Sequence, residues 1–174
     1  VLQLASVIGR IFAHRVLKSI VEEDIDLDAV LLDLQRQELV RERARIPELE
    51  YIFKHELTRE AAYNGILKRQ RSVLHCQVAE TLEHLFPDRV DEMASTLAHH
   101  WEEAEDSDRA VKYLLRAGDL ARMAYAHQEV VDFYERALAL LKQAGDNNRT
   151  ARTLLKMGQV YHDAFDFERA QLTY

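Results

Sequence analysis

Lys54, His55 and Glu56 are the residues best placed to do chemistry, inside the stretch YIFKHELTREAAYNGIL at 51–67. A period-two pattern ends just before them and a 3.6-residue pattern begins just after. His55 is therefore expected at a strand-to-helix corner. The start of a helix offers unpaired N–H groups and the positive end of its dipole, and both favour a phosphate. A neutral imidazole can donate to such an anion, and a protonated one does so more strongly. The plainer alternative is a histidine that only caps or packs at the corner. Residue chemistry alone leaves both open. No GxxxxGK-type phosphate loop occurs in the sequence.

Other groupings carry less. Of the 8 histidines, His99-His100 with Glu102 and Glu103 form the densest cluster. Adjacent residues on a helix point about 100° apart, so the two rings do not readily share one ion. His75 and His84 do not fall on one helical face either, and no metal site is expected. Cys76 follows His75 directly, but helical neighbours do not face each other, so a Cys–His nucleophile pair is unsupported. Trp101 and Tyr113 fit helix packing better than a ligand box. No catalytic constellation emerges, and no enzyme is expected in these residues.

The elements that position His55 follow from composition and periodicity. The chain has 174 residues, 48% hydrophobic and 30% charged, which suits a folded protein rather than a disordered one. With 5 Gly and 2 Pro, turns must be short and helices long. No apolar run approaches the roughly 18 residues of a membrane span, and no signal peptide is visible. Cys76 is the sole cysteine, which excludes an intrachain disulfide and makes a reducing, cytoplasmic setting the default. Val1 and the closing QLTY both fall inside apolar patterns, so the chain is expected to be a piece of a longer one.

From the start, Leu2, Leu4, Ala5 and Ile8 predict a helix stopped by Gly9. A second helix is expected to carry Phe12, Val16, Leu17, Ile20 and Val21 on one face. Asp26 is a good N-cap for a third, with Leu27, Val30, Leu31 and Leu34 in helical register. The period then drops to two. Val40, Glu42, Ala44 and Ile46 face one way and Arg41, Arg43 and Arg45 the other, with a turn at Pro47-Glu48. Leu49, Tyr51 and Phe53 return on the apolar face. Three helices followed by a β-hairpin is the order of a winged helix. Further helices are expected at 58–67, 68–86, 91–104, 107–124, 127–143, 150–163 and from 167 onward.

The later helices show an internal repeat. In a unit starting at Ala151, Leu154, Gly158, Tyr161, Ala170 and Tyr174 fit the tetratricopeptide pattern, with Phe165 where a small residue is preferred. A degenerate unit starting at Val111 supplies Leu114, Gly118, Val130, Tyr134 and Ala137. Gly118 and Gly158 lie 40 residues apart against a period of about 34, so the loop near Asn147 is expected to be lengthened. Stacked helix pairs hold a peptide or a neighbouring domain without any chemistry, or simply space domains apart. The fold class expected is mainly α, a winged-helix-like domain followed by an antiparallel helical array. The domains expected are 1–57, a helical linker at 58–107, and repeats at 108–174.

Taken in order, LQLASVIGRIF, YIFKHELTREAAYNGIL, RQRSVLH, LAHHWEEAED and AVKYLLRAGDLA resemble the region after the ATPase core of STAND-type signal-transducing ATPases. The stretches look like those of large bacterial proteins that join an ATPase to a nucleotide-cyclase or LuxR-type effector and to tetratricopeptide repeats. The resemblance implies a winged helix that packs on the nucleotide core and ends in a Met-His-Asp-like motif, whose histidine contacts the β-phosphate of ADP. The matching residues are Lys54, His55 and Glu56; Lys54 replaces an apolar residue and Glu56 is longer than Asp. It also implies ATP or ADP in the parent protein but no cofactor held by these residues alone. The expected partners are the parent's ATPase core and a protein or peptide on the repeats.

Two other functions stand beside this one. A stand-alone repeat scaffold would use the first domain as a cap. A DNA-binding regulator would read the groove with the third helix, yet 26–39 carries Asp26, Asp28, Asp33 and Glu38 against Arg36 alone. Residues 1–57 hold 8 Lys and Arg against 11 Asp and Glu, and the whole chain has a formal charge of −7. Phosphate contacts dominate DNA affinity, so DNA is not expected as a partner.

Overall fold

The computed structural model describes residues 1–164 and 166–173; the expectations for Phe165 and Tyr174 fall outside them. Mainly helical, the chain carries one small antiparallel sheet, and it divides into two compact units, Val1–Pro87 and Asp88–Tyr174.

The first unit runs α1 (Leu2–Ile8), β1 (Ile11–Ala13), α2 (His14–Ile20), α3 (Leu27–Arg36), β2 (Val40–Ala44), β3 (Glu50–Phe53), α4 (Glu56–Asn64) and α5 (Lys68–Leu85). Gly9 ends α1 at φ 145°, a conformation essentially reserved for glycine. The Asp26 side chain caps α3 by accepting from the Ala29 N–H at 3.1 Å. The sheet has the order β1-β3-β2, so β3 is central. Its buried Tyr51 and Phe53 meet Phe12 of β1, with ring centroids 5.8 and 5.7 Å away. Ala5, Leu17, Leu27, Leu31 and Val40 complete this core. Helices α4 and α5, drawn from the stretch expected as a linker, pack on α1, and α5 also packs on α2.

Two expectations fail here. Phe12 lies on a strand, not on the second helix, because Ile11–Ala13 pair with the far edge of β3. Helical spacing alone could not register that distant partner. Ile46 is 88% exposed rather than inward-facing. The register between β2 and β3 shifts between Glu42 and Ala44, and β2 ends there, so the alternation is lost before Ile46.

The second unit is a succession of α6 (Ala94–Glu103), α7 (Ser107–Met123), α8 (His127–Ala144), α9 (Asn147–Asp163) and α10 (Phe167–Thr173), each packed on the next. Connections of two or three residues make consecutive helices antiparallel. Buried residues on α7 recur as Ala110, Val111, Leu114, Ala117, Gly118 and Ala121, a helical stripe. A Cβ on Gly118 would sit 2.4 Å from Cε1 of the buried Tyr134, so only glycine lets that ring lie against α7. The Tyr134 hydroxyl donates to Asp119 Oδ1 at 2.6 Å, and Lys156 Nζ reaches both Asp119 oxygens at 2.8 Å.

The loop near Asn147 is not lengthened. Only Gly145 and Asp146 join α8 to α9, and α9 starts at Asn147 rather than Thr150. The extra length is helical, with 18 residues in α8 and 17 in α9. Asp146 makes this possible by capping α9 through the Arg149 N–H at 2.8 Å.

Candidate functional site at the β3–α4 corner

The corner is fixed by backbone before any side chain acts. As β3 ends, the Phe53 N–H donates to the Arg10 carbonyl and the Lys54 N–H to the Leu39 carbonyl, both at 3.0 Å. The chain is thus tied on either side where it leaves the sheet. His55 follows with extended dihedrals (φ −128°, ψ 136°) as the N-cap of α4, and its carbonyl accepts from the Thr58 N–H at 3.1 Å. Its imidazole makes no capping hydrogen bond and is exposed.

The flanking residues are engaged differently. Lys54 Nζ lies 2.8 Å from Glu38 Oε2. That hydrogen bond, then the lysine's charge, holds the Glu38 carboxyl below its ordinary pKa, and His55 adds a smaller pull in the same direction. Glu56 Oε1 accepts from Arg59 Nε at 2.5 Å, and Glu56 Oε2 lies 3.6 Å from Arg10 Nε. The three residues therefore share one corner, with Lys54 and Glu56 in local ion pairs and the His55 imidazole presented outward. Arg10, Glu38 and Arg59 were not anticipated. Arg59 was visible as an i, i+3 partner of Glu56; Arg10 and Glu38 carry no such signal, because the fold brings them in from other elements.

Chemically, what the corner offers is hydrogen-bond donors and positive charge. It presents an imidazole and a helix start without a side-chain cap, beside the cationic Arg10, Lys54 and Arg59.

The other candidate residues sit on other elements. His75 is buried on α5, with Nε2 3.0 Å from the Tyr63 hydroxyl of α4. The Arg71 guanidinium lies 4.9 Å from the Tyr63 ring centroid. His100 is buried and His99 exposed, so the two adjacent rings diverge in environment. Among the described residues no group of three His, Cys, Asp or Glu side chains could hold a metal ion, and no helix is long and apolar enough to cross a membrane. On the hairpin, Arg43 pairs with Glu50 at 2.6 Å and Arg45 with Glu42 through two contacts, one of 2.9 Å; Arg41 is exposed.

No family model matches the sequence, and no solved structure matches it. An uncharacterized protein of Rhizobium meliloti (strain 1021) is 32% identical over 113 residues, which cover 64% of this chain. That stretch is 11% of the relative's length, so the chain spans a small part of the protein it matches.

Proposed function

We propose that the chain is a regulatory and protein-interaction segment of a multidomain STAND-type signal-transducing ATPase. In this reading the first unit contains a winged helix that bears on the ATPase core of the parent protein. The second belongs to a tetratricopeptide-type array that takes a protein or peptide partner. Partner binding on the array is coupled to the nucleotide state of the core. The chain itself performs no catalysis, and ADP is held between His55 and the phosphate loop of the core.

The observation that carries this reading is the exposed imidazole of His55 at a helix start with no side-chain cap, among Arg10, Lys54 and Arg59. That is an arrangement a phosphate can use. The motif order from LQLASVIGRIF to AVKYLLRAGDLA supports it independently. The ion pairs that occupy Lys54 and Glu56 favour a second reading, a repeat scaffold in which this corner is only structural. A DNA-binding role gains little, since Arg43 and Arg45 are already paired with glutamates.

The test is a chain extended N-terminally through the ATPase core, purified, denatured and assayed for released nucleotide. ADP is expected from the parent, with at least a tenfold reduction in His55→Ala. Because His55 is exposed, the variant should keep its far-UV circular dichroism. Equal release from both chains, or none from either, would leave the scaffold reading in place.

A further inference from the structure

We propose that a cleft between α6 and α8 accepts a lysine or arginine side chain from a basic segment of a partner protein. This rests on the reading that the second unit is the partner-binding part. Near the C-terminal end of α6, Arg136 of α8 bridges to Glu102, with one contact at 3.2 Å and a shorter one beside it. Toward the N-terminal ends of both helices a cavity of about 270 Å³ opens over α7. Its floor includes Ala117 and Ala121, and its walls include Ala94 and Phe133. Small-molecule pockets run from roughly 300 to 1,000 Å³, and this cavity, at the bottom of that range, has room for one long side chain.

The rim sets the charge of the guest. Asp91, Glu92 and Glu129 stand around the cavity. Asp91 pairs with Arg116 and Glu92 with Arg89, while Glu129 is exposed and makes no ion pair among the described residues. Phe133 is already within cation range of one guanidinium, Arg136 at 5.6 Å from its centroid. The unit as a whole holds 11 Lys and Arg against 16 Asp and Glu, a net charge of −5. A lysine or arginine answers both demands, an aliphatic stem for the alanine floor and a cation for Glu129.

The experiment titrates the isotope-labelled 174-residue chain with an acetylated peptide of alternating lysine and leucine, and with its glutamate counterpart. Amide shifts at Ala94, Ala117, Ala121 and Glu129 are expected with the lysine peptide only, with affinity falling as salt is raised. Glu129→Lys should weaken binding at least tenfold, and Ala117→Leu should do the same by filling the floor. Equal response to the glutamate peptide, an unaffected Glu129→Lys, or no binding at all overturns the cleft. Shifts confined to other helices also overturn the cleft while leaving a partner-binding array in place. Retention of ADP through His55 is read separately, so failure of the cleft and failure of the larger assignment are distinguishable.

Discussion

Asp119 ties three helices together, because its carboxylate accepts from Tyr134 on α8 and Lys156 on α9 while its own backbone belongs to α7. Burial by itself would raise its pKa. The hydrogen bonds from Lys156 and Tyr134, with the charges of Lys156 and Arg122, outweigh burial and hold it below 3.8. Burial and the adjacent carboxylate push the Tyr134 phenol well above its ordinary value. A carboxyl whose folded-state pKa lies below its unfolded value stabilises the fold above that unfolded value. The contribution is lost as pH falls through the folded-state pKa. Acid unfolding below about pH 4 should therefore be shallower in Asp119→Asn, whose stability at neutral pH should fall by roughly 1–2 kcal/mol. Urea titrations at pH 7 and pH 3 measure both, and an unchanged acid limb would remove Asp119 from this role.

At the scale of elements, one turn type recurs. Glu38, Glu105, Tyr125 and Gly145 all have positive φ, between 58° and 71°, just beyond a helix end. In each case the next N–H donates to a carbonyl five residues back, at 3.0–3.1 Å, as Leu39 does to Leu34 and Ala126 to Ala121. Only one of the four is glycine. Tyr125 is 81% exposed, so Tyr125→Gly gives up little packing and relieves the left-handed backbone. Thermal melts should show a gain of about 1 kcal/mol, the lower end of what the left-handed conformation costs an L-residue. Gly145→Ala should lose a similar amount, through backbone alone, because a Cβ there meets nothing within 4 Å. No change in either variant would mean that the turns carry no strain. Helix starts repeat as well. Asp106, Asp146 and Asp166 each accept from the N–H three residues on, and each pairs with that residue's arginine side chain.

For the whole molecule, each of the two units has 87 residues and contains a buried hydrophobic cluster. A chain of that size buries enough surface to fold alone, though marginally. Residues 1–87 and 88–174, expressed separately, should each be helical by circular dichroism and unfold cooperatively on heating. A non-cooperative melt in either half would show that its core is insufficient by itself.

Long 3.6-residue apolar stripes, with Asp106 at one boundary and Gly145 at another, made the succession of helices in the second unit legible in the sequence, though not the start of α9 at Asn147. The sequence also determined the corner at His55, where the period changes from two to 3.6. Tertiary structure alone decided that Phe12 belongs to a strand, since β1 exists only through its pairing with β3, forty residues away. The same holds for Arg10 and Glu38 beside the corner, and for the cleft between α6 and α8. Periodicity records which face of an element is apolar; which distant residues meet on that face is fixed only when the elements pack.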